Sequence, residues 1–194
     1  IYESYDGPTK DILAGVDDPN IVKIEAPAEP GLTLGALRNM AVAKCSGEYF
    51  CQWDDDDYSH PDRISLQMDV IAQSGLPACI MMQWLIFDEK EGRAYLSNRR
   101  PWEGSLVCMK SLLQDGNGVG YDNLKIGEDT PVVRNLFSRG LVFPVIMPRL
   151  YIYTWHGGNV WSRPHWENIF ASSRPLSDES SRLIRGVLSG AYNT

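Results

Sequence analysis

The sequence predicts an α/β protein with a mixed, mainly parallel sheet flanked by helices. Strand-like and helical segments alternate through the first half of the 194 residues, a pattern typical of sheets whose parallel strands are connected by helices. The second half is richer in strands and glycine turns. Hydrophobic residues at 43% and charged residues at 22% indicate a globular chain with enough apolar side chains for a sizeable core.

The first elements are short. Residues 1–5 and 21–24 are strand-like, and Asp6-Gly7 between them is a strong turn signal. Apolar residues recur at helical spacing over 34–45, which predicts a helix. Residues 49–53 then form a compact apolar strand.

Helices and strands continue to alternate after this strand. Pro61 fits the first turn of a helix that ends near Gly75, and the glycine-rich stretch 114–123 predicts a loop. An apolar run over 78–87, interrupted by Gln83, predicts one buried strand. The other predicted elements are strands over 94–97, 105–109, 141–146 and 150–155, a helix over 128–139 and a last amphipathic helix around 183–188.

Charge and cysteine content exclude some classes of protein. A net charge of −7 argues against the broad basic face that nucleic-acid binding needs, so no nucleic-acid partner is expected. No apolar run approaches the roughly 18 residues of a membrane span. Without a CxxC pair, the cysteines predict reduced core thiols and a cytoplasmic protein, or one on the cytosolic face of a membrane. The four are Cys45, Cys51, Cys79 and Cys108.

Four consecutive aspartates, Asp54 to Asp57, follow the predicted strand 49–53 directly. Like charges about 4 Å apart repel by on the order of 1 to 4 kcal/mol per pair, so such crowding predicts a bound cation. Oxygen ligands favour a hard ion such as Mg²⁺ or Mn²⁺. The alternative is a solvated acidic loop that caps the following helix. A Ca²⁺ loop is a further alternative, but the EF-hand pattern is absent.

Several motifs together resemble the core signature of glycosyltransferase family 2, whose members are nucleotide-sugar transferases of the GT-A fold. The specific part is the run from Arg38-Asn39 through Gly47-Glu48-Tyr49 and the four aspartates to Pro61. Weaker matches are Asp6-Gly7-Pro8-Thr9, Gly127-Glu128-Asp129-Thr130 and His156. The resemblance implies a Rossmann-like GT-A catalytic domain over residues 1–160, with a nucleotide-binding part at about 1–60 and an acceptor part at about 76–160. Residues 161–194 would be a C-terminal extension.

The resemblance also implies residue roles. Asp129 would be the general base, for which the alternative is an ordinary helix cap. His156 would join Asp56 on a divalent metal, Mn²⁺ or Mg²⁺, although a lone histidine is more often structural. The implied nucleotide-sugar-binding residues are Asp6, Arg38, Asp54 and Asp55. The implied supporting or acceptor-binding residues are Glu128, Trp102, Gly104 and Tyr121.

Each of these assignments has a structural alternative. An Asx turn would equally explain Asp6, and a surface salt bridge would explain Arg38. Most tryptophans and tyrosines are expected in the core. Members of the family usually carry a strand and helix before the Asp-Gly turn, and this sequence begins after them. We therefore expect either a longer native chain or another segment to fill that place in the sheet.

The resemblance implies a metal-dependent inverting glycosyltransferase. It would move a sugar from a nucleoside-diphosphate sugar, expected to be UDP-linked, to a glycan or other hydroxyl acceptor. We expect the aspartates, the Glu-Asp pair and His156 to converge on one divalent ion. One alternative is an inactive GT-A domain that binds nucleotide sugars or glycans. A second is a nucleotidyltransferase, although the sequence has no P-loop.

Overall fold

The computed structural model describes residues 1–3, 7–27, 32–114 and 120–191, and the chain divides into two compact units. Unit 1 comprises residues Ile1–Phe50 and Met109–Asn135, and unit 2 comprises Cys51–Cys108 and Leu136–Thr194. The chain therefore crosses the boundary inside two strands and one helix. The domain limits expected from the sequence stay a prediction.

Unit 1 is built mainly from helices. Its elements are β1 (Tyr2–Glu3), α1 (Gly7–Ala14), β2 (Glu25–Ala26), α2 (Leu34–Lys44), most of β3 (Tyr49–Cys51), α4 (Ser111–Gln114) and the first part of α5 (Asp129–Ser138). Strand β2 pairs in parallel with β1, so the strand predicted at 21–24 is wrong by several residues. Ile21 and Val22 in that apolar run are 48% and 65% exposed. The position of the strand is therefore determined by its pairing with β1, not by the local apolar run.

Helix α2 confirms the helical spacing read from the sequence. Thr33 is its N-cap, and the Oγ1 of this residue accepts a hydrogen bond from the N–H of Ala36 at 3.2 Å. Gly35 lies in the first turn and is buried. An added Cβ there would lie 1.8 Å from the backbone oxygen of Asp122, so only glycine permits this close approach.

Unit 2 holds two mixed sheets with helices. Its further elements are β4 (Tyr58–Ser59), α3 (Arg63–Ser74), β5 (Ala78–Met81), β6 (Leu85–Asp88), β7 (Arg93–Leu96), β8 (Val107–Met109), β9 (Val142–Val145), β10 (Tyr151–Trp155), α6 (Arg163–Ser172), β11 (Arg174–Pro175) and α7 (Asp178–Leu188). One sheet has the strand order β11-β7-β6-β10-β4. In the other, β8 and β9 flank β5.

Both sheets combine parallel and antiparallel ladders. Parallel pairs join β6 to β10 and β5 to β9. Antiparallel pairs join β4 to β10, β6 to β7, β7 to β11 and β5 to β8. The predicted α/β class with mixed sheets and flanking helices is confirmed, with a larger antiparallel share than the prediction of a mainly parallel sheet allowed for.

The apolar run at 78–87 forms two strands in different sheets, so the prediction of a single strand is wrong. Between β5 and β6 the backbone turns away to bond with a later segment. Met82 O accepts from the N–H of Arg100, while Trp84 O accepts from the N–H of Ser97, each at 3.0 Å. Gln83, the one polar residue of the run, lies at this break, but a single polar residue between apolar ones does not by itself show that the chain leaves one sheet for another.

Helix α7 confirms the amphipathic helix predicted near the end of the chain. Ser177 caps it, and Ile184 packs in a buried cluster with Phe87, Ala94 and Ile152. Helix α6 was not predicted, although Pro164 lies in its first turn, a position that proline favours.

None of the helices in the described part of the chain has the length and apolar character needed to span a membrane.

Candidate functional site

The four aspartates lie in unit 2, in a turn between β3 and β4. Strand β3 ends at Cys51, two residues earlier than predicted, and the chain turns at Asp55 and Asp56. The alternation of a strand therefore does not apply to the four side chains. Asp55 is exposed, whereas Asp54 and Asp57 are half-buried.

The turn brings Asp56 to His156, which follows β10 nearly a hundred residues later. The Nε2 atom of His156 lies 3.3 Å from Oδ2 of Asp56, and both side chains are partly exposed. The N–H of Gly158 lies 3.3 Å from His156 Nδ1, which acts as its acceptor. This arrangement puts the ring proton of a neutral imidazole on Nε2, facing the carboxylate.

Asn159 is a further member of this group that the sequence analysis missed. Its Nδ2 donates to Asp56 Oδ2 at 3.2 Å and to Thr154 O at 2.9 Å. Its Oδ1 accepts from the N–H of His156 at 3.1 Å and from that of Gly157 at 3.4 Å. One amide therefore fixes the turn that carries His156 and contacts Asp56. The only sequence signal was an asparagine after a Gly-Gly turn.

Asp57 points the other way and is tied to β10. Its Oδ2 accepts from the hydroxyl of Tyr151 at 2.5 Å, and its Oδ1 accepts from the N–H of Thr154 at 2.9 Å. Burial raises the pKa of Asp57 to about 8 despite these two hydrogen bonds. Asp57 therefore fixes the turn of residues 54–57, here called the acidic turn, to strand β10 of the sheet.

The Asp56 and His156 side chains suit a divalent metal in part. In the described part of the chain, no three or more His, Cys, Asp or Glu side chains are grouped to hold an ion. One carboxylate and one imidazole match the limited protein ligation of Mg²⁺ or Mn²⁺ sites that are completed by substrate phosphates. Binding through Nε2 would require the proton to leave that atom.

The predicted Glu-Asp pair lies in unit 1. Glu128 is 2% exposed, and its Oε1 accepts from Nε of Arg38 at 2.6 Å. Burial raises the pKa of Glu128, and the charge of Arg38 opposes this. Asp129 begins α5 and is half-buried. Thus Arg38 forms an ion pair, as its structural alternative expected, although this pair is partly buried and not at the surface, and its nucleotide-binding role stays a prediction.

Helix α2 meets the Tyr121 segment through backbone and side-chain bonds. Asn39 Nδ2 donates to Tyr121 O at 2.8 Å, and Asn39 Oδ1 accepts from the N–H of Tyr121 at 3.0 Å. The guanidinium carbon of Arg38 lies 5.8 Å from the centroid of the Tyr121 ring. The Arg38-Asn39 pair and the Tyr121–Glu128 segment are therefore joined within unit 1.

The aromatic residues expected at an acceptor are core side chains. Trp102 is 9% exposed and stacks on Trp84, with ring centroids 4.6 Å apart. Gly104 is buried, and an added Cβ there would lie 3.2 Å from the Trp102 indole. Tyr121 is 5% exposed. An acceptor contact by either ring would need a neighbouring side chain to move, and this role stays a prediction.

Two other expectations have separate outcomes. Asp6, predicted to bind the nucleotide, lies outside the described residues. None of the four cysteines forms a disulfide, but Cys45 is exposed, so the expectation of a core thiol is wrong there, and Cys51 is half-buried. Cys79 and Cys108 are buried as predicted.

Comparisons with known proteins give two findings. The family model described as glycosyl transferase family 2 matches residues 6–123. Crystal structures of S. aureus TarS are similar in fold. That of TarS 1-349 in complex with UDP-GlcNAc has 15% identity and a TM-score of 0.53, over 70% of this chain and 43% of that chain. That of TarS 1-349 in complex with UDP has 16% identity and a TM-score of 0.51, over 76% of this chain and 52% of that chain.

The likeness to TarS concerns the fold, since the identities are low. This chain spans about half or less of the length of those structures. No curated protein sequence is matched.

Proposed function

Because the chain belongs to glycosyl transferase family 2, we propose that it transfers a sugar from a nucleoside-diphosphate sugar to a hydroxyl acceptor. The family and the GT-A fold predicted from the motifs are both confirmed. The observation that carries the proposal is the family match over residues 6–123, which includes the acidic turn. The approach of Asp56 to His156 supports it, since the resemblance assigned both to one site.

A UDP-linked sugar is the proposed donor. Support comes from the two TarS structures of similar fold, which hold UDP and UDP-GlcNAc. Asp54, beside Asp55 in the acidic turn, would accept hydrogen bonds from the ribose hydroxyls of this donor. The identity of the sugar depends on contacts beyond these carboxylates.

The proposed metal ligands are Asp56 and His156. A divalent ion there would neutralise charge that builds on the leaving diphosphate. Asn159 would keep both ligands oriented, because its amide bonds to the Asp56 carboxylate and to the backbone of His156. Asp57 would keep the turn in place from the side of β10.

Asp129 is the proposed general base. The acceptor oxygen would attack the anomeric carbon while its proton passes to the Asp129 carboxylate, and the bond from that carbon to the diphosphate oxygen would break. A single displacement of this kind inverts the anomeric configuration. Glu128 suits this step less well because it is buried and already accepts from Arg38. It would instead support the start of α5.

A panel of nucleotide sugars, tested for hydrolysis with Mn²⁺ and with EDTA, is the direct test. We expect UDP release from one or more UDP-sugars, dependent on metal. Removing a general base lowers turnover by about 10²- to 10⁴-fold, so Asp129→Asn should retain UDP binding and lose turnover. Asp56→Ala should lose both metal binding and turnover, whereas the exposed Asp69→Ala is the matched control.

Other outcomes would support the alternatives. Binding of UDP without hydrolysis or transfer would indicate an inactive binding domain. Release of pyrophosphate from a nucleoside triphosphate would indicate a nucleotidyltransferase. Near-normal turnover by Asp129→Asn would exclude Asp129 as the base.

A further inference from the structure

Arg63 is a fully buried arginine in the first turn of α3, and its guanidinium makes four hydrogen bonds within unit 2. Its Nη2 donates to two backbone carbonyls, those of Gln52 and Gly104, each at 3.0 Å. Its Nη1 donates to Ser59 Oγ at 2.9 Å, and its Nε donates to Gln67 Oε1 at 3.2 Å. One side chain therefore joins residues from both sides of the acidic turn to the segment of Gly104.

Two aromatic rings flank the same guanidinium. Its central carbon lies 5.2 Å from the ring centroid of Trp53 and 5.1 Å from that of Tyr151. Trp53 immediately precedes the acidic turn, and Tyr151 donates its hydroxyl hydrogen to Asp57 within the turn. Arg63 thus contacts the residues on both sides of the acidic turn and is linked to Asp57 within the turn through Tyr151.

The bonds continue from Gln67 into the Trp102 segment. Gln67 is fully buried, and its Nε2 donates to Ser105 O at 2.9 Å. The hydroxyl of Ser105 donates to Trp102 O at 2.7 Å and accepts from the N–H of Met81 at 2.9 Å. The turn at 102–105 is therefore held by side chains of α3 and by its own serine.

Burying a charged guanidinium costs desolvation free energy. Burial lowers the pKa of Arg63, and the electrostatic effects of nearby ionisable groups, the largest that of Tyr151, oppose this. Well-packed apolar side chains often replace buried charges without loss of stability. An apolar side chain has no donor for the four acceptors that Arg63 contacts. The planar guanidinium has five donor hydrogens and can bond to all of them.

We propose that Arg63 is a positioning residue that holds two turns in one fixed geometry, the acidic turn for the donor and the 102–105 turn for the acceptor. This inference rests on the proposed function, because it assigns both turns to the reaction site. It differs from a purely structural role in one respect. Replacing Arg63 should alter the geometry of the two turns while the rest of unit 2 stays as stable as in wild type.

The test uses Arg63→Lys and Arg63→Met in the full chain, with the exposed Arg182→Lys as the matched control. Lysine keeps the charge but cannot reproduce the fork of donors, and methionine keeps much of the volume without any donor. Hydrogen exchange is measured for peptides covering 52–60 and 102–107, with β6 as the internal reference. Hydrolysis of the UDP-sugar that wild type accepts best, with Mn²⁺, gives kcat and KM below the melting temperature of each variant.

We expect faster exchange in both turns and unchanged exchange in β6. Displacement of catalytic groups by about 1 Å costs up to about 100-fold in rate, so kcat should fall by about tenfold in Arg63→Lys and further in Arg63→Met. Exchange rates and kcat within twofold of wild type in Arg63→Lys would overturn the proposal. So would equal acceleration in the two turns and in β6, which would mark Arg63 as a general stability residue.

If Arg63→Met does not fold, the exchange rates and kcat of Arg63→Lys alone test the proposal, with the same limits. The two proposals also fail differently. If wild type hydrolyses no nucleotide sugar, the proposed function is wrong, and the exchange data alone decide whether Arg63 fixes the two turns. If wild type is active and both turns are unaffected by the substitutions, only the inference about Arg63 is wrong.

Discussion

Replacing Arg38, which pairs with Glu128, should make the free energy of unfolding depend more strongly on pH than in wild type. In Arg38→Met the Glu128 carboxylate, 2% exposed, loses a donor at 2.6 Å and the positive charge that lowers its pKa. The pKa of Glu128 in the folded state should then rise further above its ordinary value, which favours the protonated carboxyl. Near neutral pH the unfolded chain releases that proton, since the ordinary value is 4.5.

The size of the effect follows from this proton. Each pKa unit is about 1.4 kcal/mol, so full protonation of Glu128 in the folded state costs about 3.5 kcal/mol at pH 7 and about 0.7 kcal/mol at pH 5. A folded pKa above the unfolded value gives stability that is present at low pH and is lost as pH rises. Because burial already raises the pKa of Glu128 in wild type, Arg38→Met should be destabilised relative to wild type by up to about 3.5 kcal/mol at pH 7 and by clearly less at pH 5.

Urea unfolding at the two pH values, followed by circular dichroism, measures this difference. Glu128→Gln completes a double-mutant cycle, in which we expect a coupling energy of about 1 to 3 kcal/mol at pH 7. The exposed Arg139→Met is the control for the loss of a positive charge. Equal destabilisation of Arg38→Met at both pH values, together with additive single substitutions, would refute the reasoning.

Three further predictions concern separate features. Gly35→Ala should lower the free energy of unfolding by about 2 kcal/mol or more, hence the Tm by about 4 to 8 °C, because the new Cβ would overlap a backbone oxygen 1.8 Å away. Gly7→Ala, where nothing lies within 4 Å, is its control, and equal melting temperatures would contradict the prediction. Maleimide at pH 8 should label the exposed Cys45 first and leave Cys108 unlabelled until unfolding, since burial raises the pKa of Cys108 to about 12. Mass spectrometry of labelled peptides checks this, and equal labelling rates would count against it. Asn159→Ala should weaken Mn²⁺ binding by about tenfold in calorimetry without changing the Tm, and wild-type affinity in that variant would remove its proposed role.

The sequence by itself determined the α/β class, the family and helices α2, α3, α5 and α7. Helix α2 follows from apolar spacing, and α3 ends at a glycine with a φ of 68°, as expected near Gly75. These features depend on neighbours within one or two turns, so they are written in the local sequence. The pairing of Asp56 with His156 was anticipated only through the family motif, because no local pattern relates residues a hundred positions apart.

The tertiary structure decided which polar groups meet. It turned Asp57 toward Tyr151, placed Asn159 between Asp56 and the His156 backbone, and paired Glu128 with Arg38. It also split the apolar run at 78–87 between two sheets. Hydrogen bonds of this kind join segments distant in sequence, and their partners are fixed only when the sheets and helices have packed. Local periodicity predicts that a side chain is buried, but only packing selects the group it bonds to.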